Sequence, residues 1–290
     1  MSNTRIQYIS GWGVTFNDSF PCKDYLNTHG VTKDIALQLN AVMQLTFKND
    51  ILDTVKDFEC GELVGNRDLH FSEKGFPYRN IPLYQYYSLF EDNNGKHQLG
   101  GKPDSTFKMP DAILDSPFIY LGYIKNDNDI FGWIDTEIIH LVCPIFLSFT
   151  KLLLSMSNPL SPKTLACTIA YQEDQHNPLT KDSNIEYQPV RFNAETNFDK
   201  WYISDEGLGN AGIPEWIQDS DIPGLGTDTM RFLCQLKSNK DIQAIHHNIN
   251  LANYPYNPEN FTSLNFWGDG DLYVFYDPVQ KIISYQIQNS

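Results

Sequence analysis

The chain has 290 residues, 41% of them hydrophobic, with 36 acidic against 21 basic residues and a formal net charge of −15 at pH 7. Eighteen Phe, 16 Tyr and 5 Trp exclude intrinsic disorder, which needs a chain poor in such residues. A field of this sign turns away nucleic acid backbones and anionic membranes and draws in basic proteins or cations.

The length exceeds the usual ~100–150 residues of one domain, so two domains or one two-lobed domain are expected. Residues 1–95 read as an N-terminal helical region and lead-in, 96–172 as a first β lobe, and 185–290 as a second. The opening residues, Met1 to Gln7, carry no apolar run of the kind a secretory leader has. From Thr32 to Phe58, apolar residues recur at helical spacing (Ile35, Leu39, Val42, Met43, Leu45, Ile51, Leu52, Val55), with Thr32 as N-cap and Gly61 just past the end. The spacing predicts a helix there, or two helices divided at Asn49-Asp50.

Beyond residue 60 the texture changes to short apolar runs between turns. Strands are expected at 83–89, 118–124, 144–156, 165–171, 231–236, 272–276 and 282–287. Leu264 to Trp267 and Leu272 to Tyr276, joined through Gly268-Asp-Gly-Asp, form the clearest hairpin signal. The greasiest stretch, Leu141 to Leu154, is broken by Pro144 and Lys151 and falls short of the ~18 residues of a membrane span. Five cysteines (Cys22, Cys60, Cys143, Cys167, Cys234) are odd in number and contain no CxxC, which points to a reducing compartment and a cytoplasmic protein.

The chain also resembles itself. Gly101-Lys-Pro103 leads through an acidic stretch to Ser116–Ile124, and Gly212-Ile-Pro214 leads through Asp219 and Asp221 to Thr229–Leu236. Matching Gly101 to Gly212 gives an offset of 111 residues and Leu121 to Leu233 gives 112, as a diverged duplication would. The expected architecture is therefore α+β: an N-terminal helical element followed by two similar, mostly antiparallel β lobes.

Three blocks in order, Gly212-Ile-Pro-Glu-Trp216-Ile-Gln218, Met230 to Leu236 and Trp267 to Phe275, resemble the C-terminal half of the YwqG-like bacterial proteins. The resemblance covers roughly residues 97–290 and is strongest in the last eighty or so. Some relatives carry a CxxC before the second block; here that stretch reads Pro223-Gly-Leu-Gly-Thr-Asp, so the resemblance implies no metal at that loop. It implies no established reaction, but some relatives sit beside toxin genes, which implies a cytoplasmic immunity protein.

Motifs for catalysis are weak or misplaced. Gly207-Leu-Gly-Asn-Ala-Gly212 spells GxGxxG, but Pro214 follows at once and Asp205-Glu206 would repel phosphates. Calcium-loop patterns from Asp127 and Asp219 lack the bidentate Glu at position twelve, where Ile138 and Met230 stand. His246-His247 are adjacent and so diverge on a strand or a helix, which is poor geometry for sharing one ion. No catalytic, metal or cofactor site is expected. Residues 199–230 instead hold seven carboxylates against one Lys. Trp216, Gln218, Asp219, Asp221 and Asp228 are accordingly the expected contacts for a basic protein, such as a cognate toxin. Trp216, Trp267 and the Tyr273/Phe275/Tyr276 set read first as an aromatic core, and alternatively as a binding hot spot. Two other readings stand beside this one: a hydrolase with carboxylates between the lobes, and a chaperone for a basic client, as in a eukaryotic ribosomal-protein chaperone family with a similar arrangement.

Overall fold

Where the sequence predicts its longest helix, the structure has a β-hairpin. The computed structural model describes residues 4–10, 15–17, 41–48, 51–59 and 62–66. It also describes 87–289 apart from 128, 145–146, 148, 170–179, 197–206, 213–216, 218–229, 250–260 and 267–269. No helix occurs among the described residues, so the α+β expectation is corrected to a mostly antiparallel β fold. β1 (Thr4–Ser10), β2 (Thr15–Asn17), β3 (Ala41–Lys48), β4 (Ile51–Glu59) and β5 (Glu62–Asn66) form a sheet in the order β2-β1-β3-β4-β5. The physical reason lies in the period. Met43, Leu45 and Phe47 alternate with Gln44, Thr46 and Lys48, the two-residue repeat of a strand. Lys48 pairs with Ile51, so β3 and β4 are paired up to a gap of two residues, as in a tight hairpin and not as in two helices.

Fourteen further strands follow among the described residues. In chain order they are β6 (Tyr87–Glu91), β7 (His97–Leu99), β8 (Ile119–Lys125), β9 (Ile138–Cys143), β10 (Phe149–Ser155), β11 (Lys163–Ile169) and β12 (Asn184–Tyr187). Then come β13 (Val190–Thr196), β14 (Gly209–Ala211), β15 (Arg231–Lys237), β16 (Asn239–His247), β17 (Ser263–Leu264), β18 (Asp271–Asp277) and β19 (Ile282–Gln288). Eleven of them make one sheet, ordered β11-β10-β19-β18-β15-β14-β6-β13-β7-β8-β9, and β12-β16-β17 make a third. The expected hairpin turns at Gly268, outside the described residues, and among the described residues no ladder joins Ser263–Leu264 to β18. Ser263–Leu264 pairs with β16, while β18 pairs with β15 and β19.

The two halves of the chain share the large sheet. β13 lies between β6 and β7, and β6 lies between β13 and β14, so each half of the chain lends a strand to the other. The pairings obey an approximate two-fold relation centred on Phe90↔Asn193. Glu91↔Phe192 mirrors Leu89↔Ala194, and Val190↔Leu99, Arg191↔Gln98 and Phe192↔His97 mirror Tyr87↔Ala211, Ser88↔Asn210 and Leu89↔Gly209. Gln98↔Tyr123 and Asn210↔Gln235 are both members 112 positions apart. Each half carries a β-bulge at the same place, at Leu121 between β8 and β9 and at Leu233 between β15 and β18. Gly100 and Gly212, both in the left-handed region at φ 66° and 82°, share that 112 spacing, so Gly100 rather than Gly101 is the counterpart of Gly212.

The large sheet cannot lie flat. β9 and β10 are nine strand intervals apart in its order, ~43 Å at ~4.8 Å each. Yet only six residue steps, from Cys143 to Phe149, join them, a reach of ~21 Å. The sheet therefore curls, and the Val142 N–H of β9 meets the Tyr285 hydroxyl of β19 at 3.4 Å. Inside the curl sit Leu89, Leu99, Ile139, Leu141, Phe192, Leu236, Leu272 and Tyr285, all fully buried. Each such side chain contributes about 1.5–3 kcal/mol through burial.

Candidate functional site

A row of polar side chains crosses the buried part of the large sheet. On β15, Gln235 interrupts the apolar run Phe232-Leu-Cys-Gln-Leu236. Its cross-strand neighbours are polar too: Ser88, Asn210, Gln235, Tyr273 and Gln286 are successive partners on β6, β14, β15, β18 and β19. Asn210, Gln235 and Tyr273 have no exposed surface at all. A polar group so placed costs about 1–3 kcal/mol when it goes unbonded, so the row must bond internally or bind something.

It does both. The Gln235 side-chain amide donates to Asp271 Oδ2 at 2.5 Å and to the Tyr273 hydroxyl at 3.2 Å. Asp271 stands directly across from Gln288. The Ile217 backbone N–H reaches down to this group, donating to the Tyr273 hydroxyl at 3.1 Å and to Gln288 Oε1 at 3.2 Å. Ile217 belongs to the Gly212-Ile-Pro-Glu-Trp-Ile-Gln motif and is its one described residue between 213 and 229. Its side chain remains 36% exposed. The row thus fastens a backbone amide of that motif to the sheet and leaves the isoleucine facing water.

The two-fold relation places His140 where the second half has Tyr273, since Tyr123↔His140 and Gln235↔Tyr273 correspond. Here too a loop covers the same face. Phe107 packs on the His140 ring with centroids 4.4 Å apart, and the Tyr120 hydroxyl and His140 Nδ1 are hydrogen-bonded at 2.9 Å. Burial lowers the His140 pKa, partly offset by Asp104, and burial raises that of Tyr120. Beside them, Arg191 donates from Nε to Gly95 O at 2.9 Å and from Nη1 to the Tyr123 hydroxyl at 3.1 Å.

A second buried imidazole, His97, sits where β7 meets the exchanged strand β13. Its Nδ1 accepts the Lys125 N–H at 3.2 Å, and Nε2 lies 3.8 Å from Asp127 Oδ2. Phe131 and Phe192 rings pack against it at 4.9 and 5.2 Å. Burial pushes its pKa down to about 4, with Asp127 opposing and Lys96 and Lys125 adding to the shift.

Trp216, Gln218, Asp219, Asp221 and Asp228, like Trp267, lie outside the described residues. Tyr273, Phe275 and Tyr276 are buried. The GxGxxG spelling fails structurally, because Gly209–Ala211 is strand β14 rather than a loop opening a helix. The calcium-like loop at Asp127 is a self-bonded turn whose Oδ1 accepts the N–H groups of Asp129 and Phe131. His246 and His247 part company: His246 bonds the Phe261 carbonyl, while His247 approaches Glu186 at 4.0 Å. Among the described residues no group of three His, Cys, Asp or Glu is placed to hold a metal ion. No helix there is long and apolar enough to cross a membrane.

Sequence reasoning missed the anchoring set Gln235, Asp271, Tyr273 and Gln288. The available signal was a two-residue polar repeat inside the two greasiest C-terminal strands, Asp271-x-Tyr273 and Gln286-x-Gln288. No family model, curated protein or solved structure matches the chain, so its likeness to the YwqG-like proteins rests on the three sequence blocks alone.

Proposed function

We propose that the chain is a non-catalytic, cytoplasmic protein-binding module that presents the acidic segment 199–230 to a basic protein, as an immunity protein presents itself to a cognate toxin. The observation that carries this reading is the fastening of Ile217 to Tyr273 and Gln288. Ile217 lies within a segment rich in carboxylates, and its backbone amide is tied to the curled sheet, which supports a fixed point of attachment for that segment. The net charge of −15 supports the choice of a basic partner, because complementary potentials raise encounter rates and reject wrong partners. Each buried imidazole has its Nδ1 engaged, His140 by the Tyr120 hydroxyl and His97 by the Lys125 N–H, which supports a structural part for them rather than acid–base work.

The test is kinetic. Affinity capture identifies the basic partner, and association is then followed by stopped flow for the parent chain and for Asp219→Asn with Asp221→Asn. The double variant is expected to associate about 3–10-fold more slowly at low salt, with a flatter salt dependence and an unchanged melting temperature. Equal rates at low and high salt would remove this face from the interface.

A further inference from the structure

The chain's 36 carboxylates are not evenly spread. Between Glu137 and Glu173 there are none, and this run, residues 138–172, is the longest carboxylate-free stretch in the sequence. It ends in the β10–β11 hairpin, and β11 is a terminal strand of the eleven-stranded sheet, paired only with β10 among the described residues. Strands buried on neither face are unusual, yet Lys163, Thr164, Leu165, Ala166 and Thr168 of β11 are all exposed. Leu165 is 54% exposed and Leu160, in the hairpin's turn, 44%. The Lys108 N–H donates to the Leu160 carbonyl at 2.8 Å, which brings Met109, itself 36% exposed, beside that turn. An apolar surface and an uncharged run, Thr164 to Ile169, therefore lie together on an otherwise strongly acidic molecule.

Such an edge normally carries charges, prolines or bulges that stop another strand from adding to it. Here the devices are few: Lys163 at the start of β11, an irregularity at Thr150 on β10, and a bulge that leaves Leu165 without a partner on β10. That bulge prevents an unbroken ladder along all of β11, so side chains at 160 and 165 must carry much of any contact. A basic partner is repelled by Lys151 and Lys163, the only charges of the hairpin, and drawn to carboxylates elsewhere. A second copy of this chain is repelled wherever its carboxylates face each other, and the hairpin itself, unlike the Met109 loop with Asp104, Asp111 and Asp115, carries none. An antiparallel arrangement about Ala166 also sets the two Lys163 side chains ~20 Å apart, beyond the ~8–10 Å screening length of physiological salt.

We propose that the β10–β11 hairpin is a self-association surface, through which two copies of the chain meet about a two-fold axis next to Leu165. An isologous contact places a residue near the axis against itself. Contact over one short strand and two leucines belongs to the small, transient class of interfaces, so the dimer forms at micromolar concentrations and above.

The test is sedimentation velocity of the full chain from about 1 to about 300 μM, the range in which such interfaces assemble. The parent is expected to show a concentration-dependent dimer. Leu165→Lys and Leu165→Glu are each expected to weaken it about tenfold or more through like-charge opposition, and an equimolar mixture of the two to restore it. Thermal melting verifies that each variant is folded. The milder Leu165→Ser, expected to weaken the dimer about threefold, serves where a charged variant is not. A parent that stays monomeric throughout overturns the proposal. So does a dimer indifferent to every substitution at 165, and so does a Lys/Glu mixture that stays monomeric.

Discussion

His97 should make the protein acid-sensitive in a way one substitution can isolate. The neutral ring uses Nδ1 to accept the Lys125 N–H at 3.2 Å, and protonation would turn that acceptor into a donor facing a donor. Burial between Phe131 and Phe192 adds the cost of a charge removed from water, and Asp127 at 3.8 Å returns part of it. The folded pKa of about 4 lies below the ordinary 6.5, so the unfolded chain takes up the proton first. The contribution is therefore complete above pH 6.5 and is lost as pH falls from there towards 4. Linkage gives about 2 kcal/mol lost between pH 7.5 and 5, and about 3 kcal/mol as the upper bound at lower pH. Urea unfolding at pH 7.5 and at pH 5 measures this directly, and His97→Gln removes the titration while keeping an amide in the site. Other groups lose stability equally in both proteins, so the parent should lose about 2 kcal/mol more than the variant between these pH values. A difference below about 0.5 kcal/mol would mean that the imidazole charges without penalty, and the account of its burial would be wrong.

Two further substitutions probe the site and the exchanged strands. Tyr273→Phe removes an acceptor shared by Ile217 and Gln235. Because Gln288 Oε1 and Asp271 Oδ2 remain for those donors, the loss should be only about 1 kcal/mol, together with faster hydrogen exchange at the Ile217 amide; unchanged exchange would show that the hydroxyl does not hold the segment. Gly209→Ala should be far worse. At φ 138° its Cβ would stand 1.9 Å from the Gln235 carbonyl oxygen, a backbone atom that cannot step aside, so about 3 kcal/mol or more should be lost in thermal unfolding.

How much of this was legible depended on whether a strand buries one face or two. Ile119–Lys125, Phe149–Ser155, Arg231–Lys237, Asp271–Asp277 and Ile282–Gln288 all fall where apolar runs predict strands. Val190–Thr196 and Asn239–His247 were passed over, because their polar residues outnumber the few that reach the core, Phe192 and Ile242. The helix expected over 32–58 shows the opposite error within 41–58, its first residues, 32–40, lying outside the described ones. Apolar residues dense enough to satisfy a 3.6 repeat also satisfied a repeat of 2, and only the two-residue gap between Lys48 and Ile51 decides between them. The exchange of β6 and β13 had no local signature, since what pairs with Tyr87 is fixed by residues beyond position 190. The anchoring row was hidden for a related reason: Gln235 and Tyr273 are 38 positions apart and become neighbours only through register.

The exchange also sets a timetable for synthesis. β6 leaves the ribosome early, but its two flanks arrive only with β13 and β14, the latter about 120 residues later. At ~5–20 residues per second that is a wait of roughly 6–25 s, during which a strand carrying Tyr87, Leu89 and Phe90 has both edges open. Neither half has a native resting state until the other is made. The nascent chain is thus a natural client for holding chaperones, and its yield on expression should respond to their supply and to growth temperature more than a protein of this size with locally paired strands would.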